Sequence, residues 1–132
     1  MINKFLIAIA VIFAIAFVAC EKKDTVFIKR INNTSSKDVT FYLYGNFNPV
    51  TYGDTIMVAA GELKEILSFT EENSSVSTPL NCALVNDSIR VEITGGGMLN
   101  KKLTQESDWV LDNDVAGNTQ TCTFEITDAD IL

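Results

Sequence analysis

Three sets of side chains in this sequence could carry chemistry: the cysteines, an acidic run that ends in glycine, and a cluster of aromatic rings. The cysteines are Cys20, Cys82 and Cys122, and the chain has no histidine. Without histidine there is no Ser-His or Cys-His nucleophile and none of the common zinc sites, and no cysteine has a CxxC partner. Asp112-Asn113-Asp114-Val115-Ala116-Gly117 begins like a calcium loop, with acidic oxygens at positions one and three and glycine at six. The match then breaks. Ala116 holds a ligand position, and Thr123 stands where a bidentate Glu is needed. A looser calcium site built from Asp112 and Asp114, with Asp128 or Asp130, is one reading; a solvated turn between strands is the other. Tyr42, Tyr44, Phe47 and Tyr52 form the aromatic cluster. Such rings stack on sugars or dock a protein partner when exposed, and pack a strand when covered; β-propensity favours packing. Carboxylate pairs could run glycoside hydrolysis, but nothing in the spacing singles out a pair. The expectation is a chain that is not an enzyme and uses no cofactor.

Those residues must be positioned by strands. Val39, Phe41 and Leu43 alternate with polar neighbours, as do Ile89, Val91 and Ile93, and Cys122, Phe124 and Ile126. Each alternation predicts a half-buried antiparallel strand. Val26 to Ile31, Thr55 to Ala59, Glu62 to Phe69 and Met98 to Leu103 read as further strands. Leu63, Ile66 and Leu67 also fit one turn of helix. Breakers fall between these segments: Asn32 to Ser36, Gly45 to Pro49, and Gly95-Gly96-Gly97. The triple glycine lacks the Gly-Lys-Ser/Thr ending of a phosphate loop and reads as a hairpin turn. Glu71 to Pro79 reads as a mobile surface loop with little to bury. Trp109, the one tryptophan, reads as a core anchor. About seven short strands in about 110 residues predict an all-β fold, a single antiparallel β-sandwich of immunoglobulin-like type; a small β-barrel is the alternative.

The first twenty residues set the context. Lys4 gives a positive start, residues 5–18 are wholly apolar, and Ala19 precedes Cys20, after which Glu21-Lys22-Lys23-Asp24 is charged. Fourteen apolar positions fall short of the roughly 20 needed to span a bilayer as a helix. The pattern resembles a bacterial lipoprotein signal: cleaved signal helix 1–19, lipidated Cys20, short tether 20–24, and a β-domain over 25–132. It departs from the usual motif at Phe17, where Leu is typical. Ordinary secretion with a free Cys20 is the alternative. Without residues 1–19, 113 of the 132 residues remain, and the loss of Lys4 takes the net charge from −7 to −8. That balance argues against a nucleic-acid partner. Cys82 and Cys122 are then an even pair in an exported chain, either a disulfide or two buried thiols.

Cys122-Thr123-Phe124-Glu125-Ile126-Thr127-Asp128-Ala129-Asp130-Ile131 resembles the closing strand of small Bacteroidota lipoproteins of unknown function. Asp87-Ser88-Ile89-Arg90-Val91 resembles their middle strand. Counting the signal and the whole stretch Trp109 to Leu132 that contains the closing strand, the resemblance covers about a third of the chain and implies a small envelope domain without catalytic residues. Glu21, rather than Asp, after Cys20 points to the outer membrane. Lys23-Asp24 resembles a fragment of a surface-export signal, too short to choose the periplasmic or the outer face. The same bacteria glycosylate Asp-Ser/Thr-apolar triplets, which implies Thr25, Thr55 and Ser88 as acceptors; turn chemistry at strand starts accounts for the same triplets. The expected role is a lipid-anchored module that binds an envelope protein or a glycan. A structural accessory of an outer-membrane complex and a carboxylate-based hydrolase are the alternatives.

Overall fold

The computed structural model describes residues 24–44, 55–76, 79–85 and 88–132. Cys20, the signal, Phe47 and Tyr52 lie outside the described residues. Seven strands follow in order: β1 (Thr25–Asn33), β2 (Val39–Tyr44), β3 (Thr55–Val58), β4 (Leu63–Glu71), β5 (Ser88–Ile93), β6 (Trp109–Asp114) and β7 (Thr119–Ile126). They form two sheets, of order β4-β1-β7-β6 and β3-β2-β5. The protein is therefore an all-β sandwich, as the alternation predicts. Four of the five strand pairings are antiparallel, but β1 runs parallel to β7, with Ile31 beside Phe124. Two parallel neighbours cannot be joined by a hairpin. Here they are the first and last strands, so the other five strands make the connection.

The inward residues of both sheets meet in one core. Phe41 and Phe124 pack edge to face across the sandwich at 6.2 Å between centroids, and Trp109 lies 5.3 Å from Phe124. The Trp109 indole N–H donates to the Leu103 carbonyl at 3.0 Å, so this buried ring has its polar end satisfied. Asn33 is fully buried yet fully used. Its amide donates to the carbonyls of Lys37 and Val58 and its Oδ1 accepts the Ser35 hydroxyl, which locks the β1–β2 turn against β3.

The segment 79–85 crosses beneath β7 and is pinned there. Cys82 and Cys122 form a disulfide with Cα atoms 5.4 Å apart. Gln120 both accepts from the Leu80 N–H and donates to the Leu80 carbonyl, and the Glu106 carboxylate accepts the N–H groups of Cys82 and Ala83. Lys29 donates to the Ala83 carbonyl at 3.3 Å. Burial pushes the Lys29 ammonium below its ordinary value, against the pull of nearby Glu106.

Three expectations need correction. Met98 to Leu103 is not a strand. Leu99 makes one isolated bridge to Ile131, Met98 exchanges two backbone hydrogen bonds with Leu132, and Leu99 and Leu103 drop into the core. The C-terminus occupies the place a strand partner would take. All three glycines before it adopt positive φ, and a Cβ on Gly97 would stand 2.9 Å from the Ile131 side chain. Trp109 to Asp114, read partly as a loop, is the strand β6. Glu62 to Phe69, by contrast, is a strand as expected and not the alternative turn of helix, since β4 pairs with β1 along its length, with a register shift at Lys29/Arg30. The stretch from Glu71 is also not idle. Val76 is buried, and the Asn73 N–H donates to the Asp24 carboxylate at 3.1 Å, with Asn73 at φ 56°.

Candidate functional site

Alternation sends Phe41 and Leu43 into the core, so Tyr42 and Tyr44 must leave on the other side of β2. Register then decides their neighbours. Tyr42 lies between Thr55 of β3 and Arg90 of β5, and Tyr44 is opposite Ser88. Directly paired residues share a face, so Tyr42, Tyr44, Thr55, Ser88, Arg90 and Glu92 all stand on the outer surface of the three-stranded sheet.

No second layer covers this face among the described residues. Tyr44 is 50% exposed and Met57 60%, while Tyr42 is half-buried by its neighbours. The packing role expected of the tyrosines is thus not served by a covering element. Instead the side chains hold one another. The Tyr42 hydroxyl donates to Glu92 Oε2 at 3.2 Å, the Arg90 guanidinium lies 5.5 Å from the Tyr42 ring centroid, and Arg90 pairs with Glu92 at 3.7 Å. Glu92, chiefly through that hydrogen bond, holds the Tyr42 phenol above its ordinary value. Arg90 takes one face of the Tyr42 ring, which leaves Tyr44 as the freer stacking surface. The result is a pre-set group of ring, phenol, guanidinium and carboxylate, able to stack on a planar or pyranose ligand and to hydrogen-bond its hydroxyls.

The other expected sites fare differently. Thr55 and Ser88 are exposed, as acceptors of a glycan must be. Thr25 is not: it is 0% exposed, and its hydroxyl is buried with no hydrogen-bond partner among the described residues. In the folded domain it offers nothing to a transferase. Its place on the inward face of β1, beside buried Phe27, is the reason.

The calcium reading does not assemble. Asp114 Oδ1 accepts the N–H groups of Ala116 and Gly117, so it serves the β6–β7 turn, and Asp112 faces solvent on β6. Asp128 and Asp130 sit past the far end of β7, where Asp128 accepts the Ser36 N–H and hydroxyl and Asp130 accepts the Thr127 N–H and hydroxyl. Strand β7 holds the two acidic pairs at opposite ends. Among the described residues no group of three or more Cys, Asp or Glu could hold a metal.

A cleft of about 230 Å³ opens beside β5, lined by Phe41, Ile89, Val91 and Leu103 with Lys101 and Lys102 at its rim. No carboxylate lines it, so it lacks the paired acids of a glycoside hydrolase. Arg90 and Glu92 are the residues that sequence reasoning undervalued. Their positions as the outward charges of β5 were visible; that β5 lies next to β2 was not. Among the described residues no helix is long and apolar enough to cross a membrane. Comparison with known proteins finds no matching family model, no matching curated protein and no matching solved structure.

Proposed function

We propose that this protein is a lipid-anchored module of the bacterial outer membrane, held at Cys20, that binds an envelope glycan without transforming it. The observation that carries the binding reading is the uncovered sheet face on which Tyr42, Glu92 and Arg90 fix one another beside exposed Tyr44. An aromatic face flanked by a guanidinium and a carboxylate suits sugar stacking with hydroxyl recognition. The anchor rests on the residue pattern that ends at Cys20, and the four residues before Thr25 would keep the domain close to its membrane, on either the periplasmic or the outer side. Thr55 and Ser88 would carry glycans at the margin of the same face.

Binding of isolated envelope polysaccharide, followed by affinity electrophoresis, tests the reading. Retardation that Tyr44→Ala and Arg90→Ala abolish is expected. Retardation unchanged in both variants refutes the face as the site. Labelled-palmitate incorporation tests the anchor separately: Cys20→Ser must lose the label and release the protein from membranes.

A further inference from the structure

Every open sandwich has four edge strands, and three of those here are guarded. Strand β3 has four residues among those described. Strand β4 carries Lys64 and Glu65, and its pairing is broken by a register shift. Strand β5 alternates Arg90 and Glu92 outward, and Leu103 lies against its inner side across the cleft. Short length, charge and irregularity are the usual protections of an edge.

Strand β6 carries charge of one sign only, Asp112 and Asp114, with no register break. It is six residues long, paired among the described residues with β7 alone, in unbroken register from Trp109 to Asp114, and all of it beyond Trp109 is exposed. Both faces are open. Val110, 54% exposed, shares the outer face with Asp112 and Asp114, while Leu111, 40% exposed, points to the inter-sheet side that the narrower three-stranded sheet does not reach. Its free edge has alternate backbone N–H and C=O groups that no strand among the described residues pairs. Neither Asp112 nor Asp114 has a cation partner among the described residues, where the ion pairs are Arg90–Glu92 and Lys101–Asp130.

We propose that β6 accepts one extended, basic segment of a partner protein, added as an antiparallel fifth strand of the larger sheet. Register gives the partner its chemistry. Residues facing Asp114 and Asp112 would be Lys or Arg, and those facing Leu111 and Val110 aliphatic, so the segment reads basic, polar, basic, aliphatic, aliphatic from its N-terminus. A second copy of this chain fits poorly, because two chains of net charge −7 would align Asp112 and Asp114 along one seam. This edge belongs to the larger sheet, away from the tyrosine face, so the proposal does not depend on the glycan reading.

The test uses the full chain in detergent micelles and two capped peptides, Lys-Thr-Lys-Val-Val and Glu-Thr-Glu-Val-Val, with amide hydrogen exchange read residue by residue. The basic peptide should slow exchange along Val110–Asp114 and bind at least about tenfold more tightly than the acidic one, a preference that weakens with salt. Asp112→Lys should abolish that preference, since each peptide then meets one like and one opposite charge across Asp114 and position 112. Asp112 is exposed and makes none of the turn bonds that Asp114 makes, so the substitution spares the hairpin. If Asp112→Lys changes the circular dichroism, Asp112→Asn serves in its place and should shrink the preference. Protection at Thr55–Val58 or Ser88–Ile93 instead of β6 overturns the proposal. So does equal binding of both peptides, absence of any slowing, or slowing that follows protein concentration alone, which would mean self-pairing.

Discussion

Reducing the Cys82–Cys122 disulfide isolates one contribution to stability, because the thiols keep nearly the same volume in the core. The bond closes a loop of 40 residues. In the chain-entropy account such a closure removes about 13 cal/mol/K from the unfolded chain, or about 4 kcal/mol at 25 °C. A domain of this size has a total stability of about 5–15 kcal/mol, so the loss is large but leaves a folded protein. It should lower Tm by about 15 °C. The crossover should stay in place, since Gln120 still holds Leu80, Glu106 still holds the Cys82 and Ala83 N–H groups, and Lys29 still reaches the Ala83 carbonyl. Urea unfolding of oxidised and reduced protein at one pH measures the difference. A cooperative transition at a lower midpoint is expected, with a steeper slope because the reduced chain unfolds to a more open ensemble. Two results refute the reasoning. A loss under about 1 kcal/mol would mean that the unfolded chain gains little freedom. Disappearance of the cooperative transition would mean that the bond, and not the surrounding hydrogen bonds, builds the native crossover.

Three further outcomes follow from single residues. Thr25→Val removes a buried hydroxyl that has no partner among the described residues, at nearly constant shape, and should stabilise the domain by about 1 kcal/mol in urea unfolding; a loss of stability would mean that the hydroxyl is bonded. Absorbance titration should find Tyr42 ionising above the ordinary value of 10.0, and Glu92→Gln should shift the curve down; an unchanged curve in the variant would remove Glu92 as the cause. Asp128 is held below 3.8 by the Ser36 N–H and hydroxyl, and Asp130, against the opposing effect of its burial, by Thr127 and Lys101. Their folded values are depressed, so their stabilisation is present above the unfolded value and is lost as pH falls through the folded values. Asp128→Asn with Asp130→Asn should therefore flatten the acid limb of stability against pH, and an unaltered limb would assign acid sensitivity elsewhere.

Most strands were legible because one face of each is buried. Val39, Phe41 and Leu43 alternate with outward residues since the core lies on one side only, and the same holds for Cys122, Phe124 and Ile126. Strand β6 was partly hidden for the opposite reason. It is exposed on both sides beyond Trp109, so no burial pattern marks it, and its acidic residues imitate a loop. Met98 to Leu103 misled because Leu99 and Leu103 are buried plugs of an irregular segment that the C-terminus holds. Thr25 looked like a glycan acceptor because its triplet is local, whereas its burial comes from partners far along the chain.

By itself the sequence determined the strand character of most segments, the inward set of each alternating strand, the absence of histidine chemistry and an acidic surface. These depend on residue type and short spacing, which tertiary structure leaves alone. Only the fold decided which strands are neighbours. Register across β3, β2 and β5 gathers Tyr42, Arg90 and Glu92, residues up to 50 positions apart, into one contact group. The parallel pairing of β1 with β7 and the width mismatch between four strands and three leave β6 open at the edge. Proximity between distant segments is a property of packing, and no local pattern encodes it.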